Sequence, residues 1–337
     1  MEHNNNRDIS LDLIKVIATV FVVKLHCGVD GFVSEIIHNV AGVAIPLFLM
    51  VSGALILNKE QDFKYYGKKI INVFIIMGMW CILLAVGKSV LSRKMESPLK
   101  YAFGAMTQQG ILSHFWYLWM LVIMYLIVPI LLYLRKKGMI AWTNLVLLLL
   151  CVVMSSNTLL LGKNGVESNI PQFLRIWTHV AYFWCGGIVY RLLKDTRQRK
   201  KIKDVLKSHQ LIFTLGISAF VISMAILQYK VLGLIIGLHS PEYLFSNPII
   251  ICYNVFIFLI LVVLFQRKRK EYVFGIIVRL SKDGFGVYVL HMFIIIILTK
   301  VAPGMNWLLR FITVTIISFI TSDTIRKIPV IRKLIQF

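Results

Sequence analysis

The chain has 337 residues, of which 58% are hydrophobic and only 15% charged, with a mean hydropathy of +0.78. Soluble domains carry about 25% charged residues, so a water-soluble fold is excluded, and residues 1–337 read as one all-α, polytopic bundle of membrane helices. The net charge of +22 would suit nucleic acid as a partner, but the basic residues lie in clusters between apolar runs, which is the pattern of a membrane protein's loops.

In chain order, ten apolar spans are expected at about 10–28, 38–57, 70–91, 115–134, 141–157, 175–193, 210–229, 247–265, 284–301 and 306–324, lengths that suit a bilayer. The first is read as a retained helix rather than a signal peptide, because it lacks a small-residue cleavage site and carries charges through its middle. The run 231–238 is too short to cross and is assigned to an outer loop. With the N-terminus inside, 26 lysines and arginines fall on the inner side against nine outside, with Lys15 and Lys24 in the first span. The positive-inside rule then places both termini in the cytosol, and much of this charge meets anionic lipid headgroups. The five cysteines lie in or beside apolar spans with no ligand spacing, so neither a disulfide framework nor a metal site is expected.

The first span is the most informative. Asp12, Lys15, Lys24 and His26 interrupt an otherwise apolar run, and ionisable groups at membrane depth cost roughly 2.5–3.5 kcal/mol each on insertion scales, so they face polar cavities. Lys15 and His26 are about 20° apart around a helix and roughly 16 Å apart along it. One face thus presents a cation near the cytosolic end and an imidazole deeper in, which suits a long anionic donor. His26 can accept and return a hydroxyl proton near neutral pH; Asp12, about 21 Å from it along the axis, pairs with Lys15 instead.

In the second span, Gly42 to Gly53 contains Pro46 and the Ser52-Gly53 pair, which predict either a kink that admits a ligand or close helix packing. The fourth span opens with His114-Phe-Trp116-Tyr117-Leu-Trp119, read as an interfacial aromatic belt or as faces that stack on sugar rings. The ninth opens with Gly284-Phe-Gly286-Val-Tyr288-Val-Leu-His291, where Tyr288 and His291 share a face. There is no P-loop, dinucleotide fingerprint, nucleophile elbow, haem or zinc motif.

Together these residues resemble the membrane acyltransferase-3 family, whose members O-acylate cell-surface glycans. Asp12, Lys15 and His26 match its first-helix Asp-x-x-Arg/Lys-x10-His pattern. Ala44-Ile-Pro46-Leu-Phe48-Leu-Met-Val-Ser52-Gly53, the His114 to Leu118 entry and the Gly284 to His291 element match three further motifs in order. Three positions depart from it: Lys15 stands where arginine is more common, Lys69-Ile-Ile-Asn72 where some members have Arg-x-x-Arg, and Gly284 where serine is usual.

The resemblance implies an O-acetyltransferase of the bacterial plasma membrane, acting on a surface polysaccharide or its lipid-linked precursor, with no permanently bound cofactor. Acetyl-CoA would be the cytosolic donor, its phosphates meeting Lys15, Lys68 and Lys69 while the pantetheine arm brings the thioester to His26. His26 would serve as general base or transient acyl acceptor. Asp12, Ser52, Trp116, Tyr288 and His291 are expected along the cavity. Some members carry an extracytoplasmic hydrolase-like domain; this chain stops at Phe337, so it is expected either to complete transfer itself or to pass the acyl group to a separate extracytoplasmic partner. The alternative class is an exporter or flippase of a glycan or lipid-linked sugar, which would also show buried charge and broken helices; a structural membrane subunit is a third.

Overall fold

Short polar residues set where the helices begin. In the computed structural model, which describes residues 7–59, 61–194, 200–202, 204, 210–265 and 271–336, Asp8 Oδ1 accepts the Ser10 N–H at 2.9 Å and opens α1 (Ile9–His26). Asp62 caps α4 (Phe63–Ser92), Asn247 caps α11 (Pro248–Leu264) and Asn306 caps α13 (Trp307–Arg326) in the same way. Each side chain satisfies an N–H that would otherwise have no partner in an apolar setting. The remaining helices are α2 (Gly31–Ala41), α3 (Ala44–Ile56), α5 (Pro98–Met106), α6 (Trp116–Lys136), α7 (Ile140–Leu161), α8 (Val166–Asn169), α9 (Ile176–Lys194), α10 (Gln210–Lys230) and α12 (Glu271–Val301). Among the described residues there is no strand.

Every expected span coincides with a helix or helix pair, and the chain is a helical membrane bundle. Among the described residues, seven helical stretches are long and apolar enough to cross a membrane by length and composition. The basic residues Arg197, Arg199, Lys203, Lys207 and Arg267 to Lys270 lie outside the described residues.

Three expectations are corrected. The second span is two helices that break at Gly42-Val43, not at Pro46; Pro46 is the third residue of α3, where a missing N–H leaves no helical bond unmade. The run 231–238 is not a plain loop: Val231–Ile236 continues α10 as a π-helical turn that ends at Gly237, where φ is +69°. The ninth span starts earlier, since α12 begins at Glu271 and carries Arg279, Ser281 and Asp283 on helix rather than on a loop.

Helix α1 is the axis of the bundle and packs against α2, α3, α11, α12 and α13. Its Ile14, Ala18 and Val23 are fully buried. Around it, α3 and α9 cross at contact distance because glycines remove the side chains between them. A Cβ at Gly53 would lie 2.7 Å from the Phe183 carbonyl carbon and closer still to its oxygen, and one at Gly186 would lie 2.6 Å from the carbonyl carbon of Met50. Small residues allow this approach where membrane helices gain most from close packing. Outward faces stay apolar: Ile71, Ile75, Ile82 and Val86 on α4 and Leu145, Leu149 and Val153 on α7 are exposed, as lipid requires.

Gly53→Ala is expected to lower stability by about 1–3 kcal/mol through overpacking, read as a lower thermal midpoint of the detergent-purified protein. Gly78→Ala, where a Cβ meets nothing within 4 Å, should leave the midpoint unchanged or raise it. Equal midpoints for Gly53→Ala and wild type would show that α3 and α9 are not in this contact.

Candidate active site

The first turns of α1 carry the charge that the rest of the helix must accommodate. Asp12 is 3% exposed, and its carboxylate accepts Arg7 Nε at 2.5 Å, Arg7 Nη2 at 2.9 Å and Ser281 Oγ at 2.6 Å. Lys15 Nζ stands 3.8 Å from the same carboxylate. A buried anion is tolerated only when it is paired and hydrogen-bonded, and here the pairing also fastens α1 to α12. The hydrogen bonds to Asp12 hold the Arg7 guanidinium above its ordinary pKa. At the same end, Asp283 on α12 accepts Arg326 Nε of α13 at 2.6 Å, so two carboxylates fix three helix ends around an opening.

That opening leads into a chamber of about 780 Å³. Its mouth is basic, lined by Arg7, Lys15, Lys59, Lys69, Lys282 and Arg326. Deeper, the wall is apolar and aromatic, with Phe48, Tyr117, Tyr125 and Tyr288, and Ser52 and Thr19 are its hydroxyls at mid-depth. Gly284 leaves room for Thr19: a Cβ there would be 2.8 Å from Thr19 Oγ1, so a side chain at 284 would have to displace that hydroxyl. The Lys69 ammonium lies 5.8 Å over the Tyr65 ring.

The chamber ends at a group of imidazoles. His26, in the last turn of α1, faces His291 of α12 with ring centroids 5.1 Å apart. His114, in the single turn Ser113–Phe115 that tightens the entry to α6, is 5.2 Å from His291 and 5.4 Å from the Tyr288 ring. The Tyr288 hydroxyl donates to the His114 carbonyl at 2.5 Å and holds that turn in place. His291 Nδ1 lies 2.7 Å from the Tyr288 carbonyl and 3.2 Å from that of Val287. Two acceptors fix the proton on Nδ1, which leaves Nε2 as a buried acceptor without a protein partner.

A second, smaller chamber of about 250 Å³ approaches the same imidazoles from the opposite end of α1. Leu25, His26, Ile45, His114 and Trp116 line both chambers, so a molecule in each would meet across the His26 and His114 rings. The two differ in charge. Among the described residues, no Asp or Glu lines the large chamber, whereas Glu242 is the one charged side chain of the small one.

Of the residues expected from sequence, His26, Lys15, Lys69, Ser52, Trp116 and Tyr288 line the large chamber. Asp12 stands behind its wall as the partner of Arg7, and Lys68 is exposed and off the wall. His291 lies fully buried behind His26 and touches neither chamber. Trp116 is 7% exposed and its ring stacks on His179 at 5.8 Å, so it is a chamber wall and not part of a lipid-facing belt. Sequence reasoning missed His114 as a chamber residue, although its motif was visible, and the cations Arg7, Lys59, Lys282 and Arg326, whose clustering at one mouth only the fold produces.

A family model described as "Acyltransferase domain", of the acyltransferase-3 kind, matches residues 8–327, nearly the whole chain. No curated protein and no solved structure matches it.

Opposed chambers make a labelling prediction. In sealed vesicles of known orientation, with the exposed Cys252 replaced by serine, Ser52→Cys should react with a membrane-impermeant thiol reagent only from the side of the N-terminus. Ser240→Cys, on the small chamber, should react only from the other. Reaction of both from one side would show that the chambers do not open on opposite faces.

Proposed function

The chain belongs to the membrane acyltransferase-3 family and is an acyltransferase built into the membrane; on that premise we propose that it moves an acetyl group from cytosolic acetyl-CoA to a hydroxyl of a surface polysaccharide or its lipid-linked precursor. The observation that carries this reading is that His26 lines both chambers. A donor in one and an acceptor in the other would then reach the same imidazole without either crossing the bilayer.

The large chamber suits the donor. The cations at its mouth match the phosphates of coenzyme A, for which charged donors give the stronger hydrogen bonds. Its apolar walls suit the pantetheine arm, and the distance from Lys15 to His26 gives that arm its length. The acceptor oxygen attacks the thioester carbonyl while His26 takes the hydroxyl proton. The C–S bond breaks, the ester C–O bond is complete, and the imidazolium returns its proton to the departing thiolate to give free coenzyme A. Among the described residues no carboxylate lines the chambers beside His26 except Glu242 in the smaller one. The base is therefore oriented by packing against His291, with the Nδ1 proton of that ring held on carbonyls. In this reading the chain resides in a bacterial plasma membrane with both termini in the cytosol.

The test is labelled-acetyl transfer from acetyl-CoA in proteoliposomes against a panel of glycans, with thiol release followed in parallel. His26→Ala, in protein of wild-type thermal midpoint, should lose roughly 10²- to 10⁴-fold in kcat, the range of a positioned general base. Undiminished transfer would remove His26 from the chemistry, and a stoichiometric burst of thiol before acceptor is added would mark an acyl-imidazole route instead. Lys15→Gln should raise the KM for acetyl-CoA by about tenfold with a smaller change in kcat, as loss of one charge-assisted contact predicts. An unchanged KM would place the phosphates elsewhere.

A further inference from the structure

We infer that the small chamber is an acceptor subsite that selects a sugar hydroxyl free of neighbouring negative charge, with Gln172 and Glu242 as the residues that reject anionic sugars. The inference rests on the acyl-transfer reading above and names the substrate class that the site would take.

The chamber is assembled from turns far apart in sequence. Gln108 comes from the turn after α5, Gln172 from the turn before α9, and Ser240 with Glu242 from the segment before α11. The Gln172 N–H donates to Gln108 Oε1 at 2.9 Å, and Gln108 holds a left-handed backbone, φ +59°, to accept it. A non-glycine residue in that region is uncommon, and here it locks two loops across the mouth of the chamber. Gln172 is 3% exposed and its Oε1 has no protein partner. His38 Nδ1 is likewise buried and without a protein partner on the same wall.

Buried polar atoms without partners are few in folded proteins, and each one asks for a ligand or an ordered water. The type of atom decides which ligand. An amide oxygen and a carboxylate are acceptors only, so they need a donor opposite. A sugar hydroxyl supplies one and can also accept from an imidazole N–H. The ionised carboxylate of a uronate, like a phosphate dianion, supplies none and would bring a second negative charge beside Glu242.

Among the described residues no lysine or arginine lines the chamber. Arg175, beside it, turns onto the Tyr243 ring at 4.8 Å, with Nη1 on the Glu242 carbonyl at 3.4 Å. Lys24, fully buried, donates to the Gly28 carbonyl at 3.2 Å and sits 4.9 Å over the Trp307 ring. Trp116 and Phe245 complete the wall with apolar faces suited to a pyranose ring. The enzyme would thus hold its anionic substrate in one chamber and exclude anions from the other.

The experiment uses full-length protein in proteoliposomes with labelled acetyl-CoA on the basic side. Methyl glucopyranoside or its uronate, methyl glucopyranosiduronate, is supplied on the other side. Wild type should favour the neutral glycoside by at least about tenfold in kcat/KM, since like charges set side by side are strongly disfavoured. Gln172→Lys should shift that ratio by at least about tenfold towards the uronate, a gain that misfolding cannot imitate. Glu242→Gln, at a partly buried position, should shift it in the same direction. Equal use of the two glycosides by wild type, or a ratio that neither substitution moves, would overturn the subsite. Transfer to either glycoside upholds acyl transfer whichever sugar wins, whereas absence of both transfer and thiol release would overturn that reading and this one together.

Discussion

A charge inside a bilayer must be paired or must face a polar cavity, and one helix of this protein carries four ionisable groups. Most of the architecture follows from how α1 meets that constraint. Asp12 is neutralised by Arg7 and braced by Ser281. Lys24 turns onto a carbonyl and an indole ring, and Lys15 and His26 are given a chamber to face. Helices α2, α3, α11, α12 and α13 pack around α1. The Asp12 network matters twice, because the carboxylate that stabilises Arg7 and Lys15 also joins α1 to α12 and thereby brings Tyr288 and His291 beside His26.

Making room for such a chamber in a close-packed bundle requires close approach elsewhere. Glycines supply it: Gly53 and Gly186 let α3 and α9 touch at the backbone, and Gly284 lets α12 close on Thr19. The same residues that remove volume on one face of α3 leave Phe48 and Ser52 on the other face as chamber wall. Packing and cavity are therefore two consequences of one pattern, and the alternatives that Ser52-Gly53 presents in sequence, a ligand site or a packing motif, are both realised on adjacent residues.

The two chambers differ in the way a transfer between compartments demands. Among the described residues, cations gather at one mouth and a single carboxylate stands in the other, with the imidazoles between them. On the proposed reading, such a division keeps an anionic donor and a neutral acceptor from competing for the same space. It also lets the reacting atoms meet where the walls are apolar and electrostatic contacts are less screened than in water.

How much of this was legible depended on distance along the chain. The helices were readable because apolar runs and polar caps are local properties, and the family was readable because its motifs are contiguous strings. Lys15 and His26 could be placed on one face because a helix has a fixed period. The break at Gly42-Val43, the π-helical turn after Lys230 and the extension of α12 to Glu271 were not readable, since local hydropathy does not say where a backbone stops winding when neighbours hold it. Nor could sequence bring Arg7, Lys59, Lys282 and Arg326 to one mouth, or Gln108, Gln172 and Glu242 to the other. By itself the sequence determined a membrane-embedded helical acyltransferase with an imidazole at depth. Only the tertiary structure decided that this imidazole stands between two oppositely furnished chambers, because each wall is built by side chains from helices and turns that meet only when the bundle closes around α1.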